Sequence, residues 1–343
     1  MARPFVFIFS IFIPFSLGLF IPVNVINLEK DKDRWEGITD ELVKGGVEMD
    51  NIHRIQAIYG KELSNEEVQS NTTMLARIFA TRGMIGCYLS HRKCWETISM
   101  GTDPCQVVLE DDVMLDEAFY DHLHEAIQGL EACPETKDNW DVLILGGFGS
   151  IHPQGQRGMR DVNSLLLGGS RPPRVISATD NLTLHVPRRP FGTQAYVLSQ
   201  RGATKLVKEA WYAAGHVDCV IWGIQELNIA CCDPLLAHQN MSFPSTIGSK
   251  SWGPDSWLPD TMLVDQYSKV SVKWALGEPL IRIPIINKVL TIGKAIYLSA
   301  AGALVGTIGR KSLPWLFRGQ TILTAMLIML LRLMSKPVPA PKQ

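Results

Sequence analysis

Along the 343-residue chain, short apolar runs alternate with segments of helical spacing, and that alternation admits few folds. PVNVINL (Pro22–Leu28) reads as a buried strand. Asp31–Lys44 reads as a helix with Trp35, Ile38, Leu42 and Val43 on one side, and IHRIQA (Ile52–Ala57) as a second strand. Strand, helix, strand is the opening of a parallel α/β unit. Met84, Cys87, Tyr88, His91, Cys94, Trp95 and Ile98 recur every three or four residues, which is one face of a helix. QVVL (Gln106–Leu109), WDVLIL (Trp140–Leu145), TQAYVLS (Thr193–Ser199) and NIACC (Asn228–Cys232) supply further strands, with helices expected over Glu117–Leu130 and Arg201–Ala213. Phe148–Pro190, rich in Gly, Pro, Arg and Ser, reads as a long loop beside the site.

One of these strands ends abruptly in charge. Gln106–Leu109 runs straight into Glu110-Asp111-Asp112. Ionised carboxylates side by side repel one another and resist leaving water. Strand ends in open parallel sheets are where ligands bind. A divalent cation resolves the conflict, because it neutralises the cluster and takes oxygen ligands. Side chains alternate along a strand, so Glu110 and Asp112 are expected to project to one side. The competing reading is a helix N-terminus, with the acids complementing the dipole of Asp116–Leu130, although a cap needs one acid and not three. A cation held by few protein groups completes its shell with a substrate's phosphates. No GxxxxGK[ST] loop occurs, LGGFGS (Leu145–Ser150) lacks the GxGxxG spacing, and neither GxSxG nor HExxH is present.

Composition bounds the rest. With 46% hydrophobic and 20% charged residues the chain buries a real core, as one large or two medium domains, and is not disordered. A net charge of −1 gives no case for a nucleic-acid binder acting through bulk charge. That balance conceals an asymmetry: residues 270–343 hold ten Lys and Arg against one acid, Glu278, so the tail carries +9 and the body −10. Such a tail suits an anionic membrane surface. Ala295–Gly309 and Gly319–Leu331, flanked by cations, are too short to span comfortably and read either as segments lying in a membrane interface or as a helical pair packed on the body. The Pro-rich Lys336–Gln343 reads as a loose terminus. At the other end, PFVFIFSIFIPFSLGLF (Pro4–Phe20) reads as a signal peptide or anchor, which would put the body on the lumenal or exported side. The basic tail would be equally at ease on the cytosolic membrane face. Sequons at Asn71, Asn181 and Asn240 permit glycosylation. Seven cysteines without a CxxC pair give no zinc ribbon and read mostly as buried small apolar residues.

The motifs, taken in order, resemble glycosyltransferase family 25, which includes lipopolysaccharide and collagen galactosyltransferases. They are VINLEKDKDR (Val25–Arg34), GMIGCYLSHRKCW (Gly83–Trp95), VVLEDDV (Val107–Val113) and WDVLILG (Trp140–Gly146). QAYVLSQRGATKL (Gln194–Leu206), Val217-Asp218 and PLLAHQ (Pro234–Gln239) continue the match, which covers roughly Pro22–Trp257. One departure is Ala57-Ile58-Tyr59-Gly60, where the family usually has an acid before the glycine.

The resemblance implies a GT-A-type α/β fold: a nucleotide-sugar-binding domain with a mixed, mostly parallel sheet and helices on both faces. The expected organisation is an apolar leader over 1–21, a GT-A-like domain over 22–260 and a basic, apolar, membrane-associating tail over 261–343. It implies a UDP-sugar donor, UDP-galactose foremost, a divalent cation such as Mn²⁺, a hydroxyl acceptor on a glycan, glycolipid or glycoprotein, and inverting transfer. Mapped onto this sequence, Glu110 and Asp112 are expected to hold the metal, with His238 as a further ligand candidate, and Asp111 to contact the donor. Asp218 is the candidate base, or else a helix N-cap. Asn27, Leu28 and Arg34 follow the first strand, where base and phosphate groups dock. Arg82 precedes a glycine-marked helix start, where a phosphate meets free N–H groups. Ser90 and His91 are donor-site candidates, His91 alternatively a buried structural histidine. Two rival readings use the same residues: a metal-dependent phosphoesterase or nucleotidyltransferase, and an inactive membrane-bound carbohydrate-binding protein.

Overall fold

Alternation along the strands divides the core in two. In the computed structural model, which describes residues 20–149, 152–154, 164–243, 257–264, 268–309 and 314–341, the chain opens with β1 (Val23–Asn27), α1 (Lys32–Lys44) and β2 (Ile52–Gln56). Helices α2 (Asn65–Asn71), α3 (Met74–Phe79) and α4 (Arg82–Met100) follow, then β3 (Cys105–Glu110), β4 (Val113–Leu115) and α5 (Phe119–Ala132). Next come β5 (Val142–Phe148), β6 (Arg174–Ala178), β7 (Thr183–Val186), β8 (Phe191–Ser199), α6 (Gln200–Glu209) and α7 (Val217–Ile221). Strands β9 (Ile229–Asp233) and β10 (Ala237–Gln239) complete the body.

On one face of the sheet Val107, Leu109, Leu143, Leu145, Ala195 and Val197 pack against Ile38, Leu42, Phe119 and Leu123 of α1 and α5. Their neighbours Val108, Val142, Ile144, Tyr196 and Leu198 point the other way, onto Tyr88, Trp95 and Ile98 of α4 and Leu206 of α6. A strand buried on both faces must be apolar at every position, which is why these segments read as continuous runs.

The sheet has the order β2-β1-β3-β8-β5-β9-β7-β6. Six of its eight strands point the same way, but β8 and β7 run against them, so four of the seven ladders are antiparallel. The stretch expected to be one long loop thus supplies an edge hairpin, β6–β7. Its Arg174, Val175 and Ala178 are exposed, which is edge-strand composition and hides the strand from a search for apolar runs. All seven cysteines are free, and Cys94, Cys105, Cys231 and Cys232 are buried.

Beyond residue 268 the chain forms α8 (Val272–Gly277), a hairpin of β11 (Pro279–Ile283) and β12 (Lys288–Thr291), and two long helices, α9 (Ile292–Gly309) and α10 (Pro314–Met334). One side of α10 joins the body: Met334, with Leu327, Leu330 and Leu331 beside it, packs on Ala76, Met84, Ile85 and Leu89. Its other side leaves Ile322, Leu323, Met326 and Met329 exposed. No helix among the described residues is long and apolar enough to cross a membrane. The terminus expected to be loose is tied down, because the carbonyl of Val338 accepts from the Trp211 and Tyr212 amides and the Ala340 amide donates to Lys208. The expected leader over 1–21 lies, apart from its last two residues, outside the described ones.

Candidate active site

The carboxyl ends of β1 and β3 lie side by side, so Asn27 meets the acids that close β3. Asn27 donates its side-chain amide to Oδ2 of Asp111 at 2.6 Å and to the Asp31 carbonyl at 3.0 Å. From α1, Nη1 of Arg34 lies 3.0 Å from Oδ1 of Asp111 and 3.2 Å from Oδ2 of Asp112. Arg34, expected at the donor, is therefore committed first to neutralising two of the three acids.

Glu110 has other partners. Thr193 Oγ1 donates to it at 3.0 Å and His91 Nε2 stands 3.4 Å away. His91 is itself oriented by the Tyr196 hydroxyl, 3.1 Å from its Nδ1, and that hydroxyl also accepts from the Trp95 indole at 2.9 Å. His91 is thus a buried, hydrogen-bonded histidine whose other ring nitrogen faces the acidic cluster. Burial acts to push Glu110 up, but the His91 and Thr193 donors and the charge of His216 outweigh it and leave the carboxyl below its ordinary value. Burial raises Asp111 despite its bonds to Asn27 and Arg34. Asp112 is pushed up to about 7 by burial and by the charges of Glu110 and Asp111.

Two cavities meet at this cluster. The first, of about 280 Å³, is lined by Leu28, Arg34, Tyr59, Arg82, Ser90 and His91 together with Glu110, Asp111 and Asp112. Six of the seven residues expected at the donor therefore border one space, and the seventh, Asn27, holds Asp111 from behind. Two of them also have structural work. Arg82 donates to the Leu63 carbonyl and to Asn65, and Ser90 Oγ accepts from the Ile58 amide at 2.8 Å. The Ile58–Gly60 segment that Ser90 pins crosses α4 so closely that a Cβ on Gly60 would stand 1.8 Å from the Arg82 carbonyl oxygen.

The second cavity, of about 60 Å³, shares Cys87, Glu110 and Asp112 with the first and is lined on its far side by Asp218, Thr193, Gln239, Trp274 and Glu278. Asp218 belongs to the first turn of α7, whose N-cap is His216 and not Asp218. Its carboxylate is fixed instead by two amides, Gly192 to Oδ2 at 3.0 Å and Cys219 to Oδ1 at 2.7 Å.

Whether a cation fits is answered by the oxygen left over. Oδ1 of Asp112 is buried and accepts no hydrogen bond, a costly arrangement for a carboxylate unless a ligand completes it. Cys87, His91 and Glu110 also bring ligand atoms within 4.8 Å of one another. Burial beside Glu110 keeps the Cys87 thiol protonated, so the oxygen pair Glu110 and Asp112 is the better match to a hard divalent ion.

His238 is not brought to these acids. It pairs with Met114 on the short β10–β4 ladder, borders neither cavity, and lies near Asp116 and Lys269. Its neighbour Gln239 faces the site and donates to the Asp112 carbonyl at 3.4 Å, as alternation along a strand requires. Glu278, absent from the sequence expectations for the site, is buried there; burial and the charges of Asp218, Glu110 and Asp112 push it up to about 8. The one signal for it in the sequence is that it is the single acid in a basic tail.

A family model described as glycosyltransferase family 25 (LPS biosynthesis protein) matches residues 20–221, more than half of the chain. The chain belongs to glycosyltransferase family 25. Among curated members of family 25, procollagen galactosyltransferase 1-B of Xenopus laevis is 28% identical over 196 residues, which is 55% of this chain and 28% of that protein. Procollagen galactosyltransferase 2 of Homo sapiens is 25% identical over 202 residues, 57% of this chain and 28% of its own length. A probable inactive glycosyltransferase 25 family member 3 of Bos taurus is 27% identical over 203 residues, 57% of this chain and 29% of its own. The chain thus spans less than a third of the length of these family 25 relatives.

Proposed function

We propose that the protein is a GT-A-type glycosyltransferase that moves a sugar, galactose foremost, from UDP to a hydroxyl of a glycan, glycolipid or glycoprotein, with inversion. The observation that carries this reading is the meeting of two cavities at Glu110 and Asp112, with Asp218 on the far side of the smaller one. The larger takes the nucleotide, with Leu28, Arg82, Ser90 and His91 around it, and the smaller takes the acceptor hydroxyl. Residues 22–260 form the catalytic unit and 261–343 an appended tail that closes its pocket.

Glu110 and Asp112 would hold a divalent cation such as Mn²⁺, whose role when bound is to stabilise the negative charge that collects on the departing diphosphate. Arg34 keeps Asp111 and Asp112 from repelling each other in the absence of that charge. Asp218 stands where the acceptor hydroxyl enters and is the group to accept its proton. Held by two backbone amides, the carboxylate keeps lone pairs free for that proton and pays no reorientation during the reaction. Glu278, pushed above the ordinary carboxylate range by burial and by its acidic neighbours, resists adding a further negative charge beside it. The Phe148, Phe191 and Trp274 rings form an apolar wall of the small pocket.

The test is incubation of the full chain with Mn²⁺, UDP-galactose and a panel of glycoside acceptors. Galactosylated acceptor with release of UDP is the expected result. Free phosphate or free sugar, with no acceptor modified, would replace this reading with the phosphoesterase one.

A further inference from the structure

Beside the small carboxylate pocket lies a much larger cavity, about 670 Å³. The two share a neck made of Phe148, Phe191, His216, Trp274 and Glu278. The rings of that neck are in contact: Phe148 lies 5.7 Å from Trp274 and 6.1 Å from Phe191, and Phe191 lies 6.3 Å from His216. Past the neck no Asp, Glu, His, Lys or Arg lines the space among the described residues. The walls become Val270, Leu276, Ile296, Leu327, Ile328 and Leu331, relieved by the Cys219 thiol and the hydroxyls of Ser299, Thr324 and Ser335. The space then continues between α9 and α10 into a further pocket of about 370 Å³ that shares Ser299, Thr324 and Ile328 with it.

An apolar cleft of this size leaves hydrocarbon surface against water, which is a standing loss of hydrophobic burial. Water does not repay it, because water needs polar partners that the walls past the neck scarcely offer. The volume falls within the range of small-molecule sites, and an apolar wall with a few convergent polar groups at one end is the form such sites take. Here the polar end of the cavity, at His216 and Glu278, opens onto the small pocket that holds Asp218, Glu110 and Asp112, so the occupant must be polar at the neck and hydrocarbon beyond it.

We propose that the acceptor is an amphiphile, with its hydroxyl-bearing head in the carboxylate pocket beside Asp218 and a long hydrocarbon chain threaded through the aromatic neck into the cavity between α9, α10 and the body. This inference rests on the glycosyltransferase reading for the identity of the head and on the cavity alone for the chain. The reaction it specifies joins the sugar's anomeric carbon to the head-group oxygen and breaks the bond from that carbon to the diphosphate; UDP leaves with the bonding electrons and the hydroxyl proton passes to Asp218.

The probes are methyl, octyl and dodecyl β-glucosides, titrated below their micellar concentrations into the full chain by calorimetry. Burial of hydrocarbon is worth roughly 0.8 kcal/mol per methylene, or about fourfold in affinity, so dodecyl glucoside should bind at least about tenfold tighter than octyl, and methyl glucoside should bind weakest. Filling the cavity with Ala295→Trp on α9, or independently with Thr324→Trp on α10, should weaken dodecyl binding at least about tenfold in a variant that still melts cooperatively. Equal affinity for all three glucosides, or dodecyl binding untouched by both substitutions, overturns the inference. So does a full chain that binds no alkyl glucoside, the result expected if its own apolar 1–19 segment fills the space. The transfer assay reads the other proposition separately: equal kcat/KM for methyl and dodecyl acceptors sinks the amphiphile while sparing the transferase, and chain-length-dependent binding without transfer to any acceptor does the reverse.

Discussion

Nη1 of Arg34 lies 3.2 Å from Oδ2 of Asp112, while the other oxygen of the same carboxylate is buried with no partner. One half of Asp112 is thus neutralised within the fold and the other half is left for a ligand.

Replacing Asp112 with Asn removes a buried charge whose neighbours repel it. The Asp112→Asn protein is expected to melt at the same temperature as the parent or a few degrees higher without added metal, and to lose the upward shift that Mn²⁺ gives the parent. Scanning calorimetry with and without Mn²⁺ checks both. A variant stabilised by Mn²⁺ as much as the parent would remove Asp112 from the metal site.

Asp218→Asn keeps the shape of the side chain and one of the two amide contacts, since only the carboxamide oxygen accepts, and takes away the proton acceptor. A fall in kcat of about 10²- to 10⁴-fold is expected, the range for a lost general base, with UDP affinity by calorimetry nearly unchanged. Full transfer rate in a folded variant would end the assignment.

Tyr196→Phe strips the hydroxyl that accepts from Trp95 and orients His91. Two buried ring nitrogens lose their partner, and each such loss costs about 1–3 kcal/mol. Urea unfolding should register a loss of that order, and the donor KM should rise because His91 is freed to turn from Glu110. A stability change below about 0.5 kcal/mol would show that the network is not holding the site.

His185, on β7, is fully buried with neither ring nitrogen hydrogen-bonded, and burial together with nearby His152 pushes it down to about 3. In the unfolded chain it takes a proton near 6.5. Between those values the unfolded state binds more protons, so stability rises with pH there, and the loss begins as pH falls below about 6.5, at up to about 1.4 kcal/mol per unit. Between pH 7.5 and 5.0 the parent should lose about 2 kcal/mol more than His185→Leu. Parallel losses in the two proteins would contradict the buried neutral histidine.

How much of this could be read in advance follows the range of the signals. Val107–Leu109 and Leu143–Leu145 announce central strands because both faces of each are buried, and local composition reports burial directly. Thr183–Val186 and Arg174–Ala178 do not, since an edge hairpin shows polar residues to water and its pairing with β9 is decided 50 residues later. Asp112 and Asp218 were legible through their motifs. Gln239 was missed and His238 preferred because a three-residue strand carries no register of its own; the pairing with β4 decides which of the two faces the acids. Glu278 escaped for a different reason: its meaning depends on Asp218 and Asp112 lying across a pocket, and nothing within reach of it in the chain says so.

Trp274 and Glu278 reach the acidic cluster from the last quarter of the chain, and the Val338–Ala340 strap fastens that quarter to the end of α6. A fragment cut at residue 260 would retain every family motif and all of the acids that define them. The pocket proposed for the acceptor, however, would lose its Trp274 and Glu278 wall, so recognisable sequence and the proposed activity would part company at that cut.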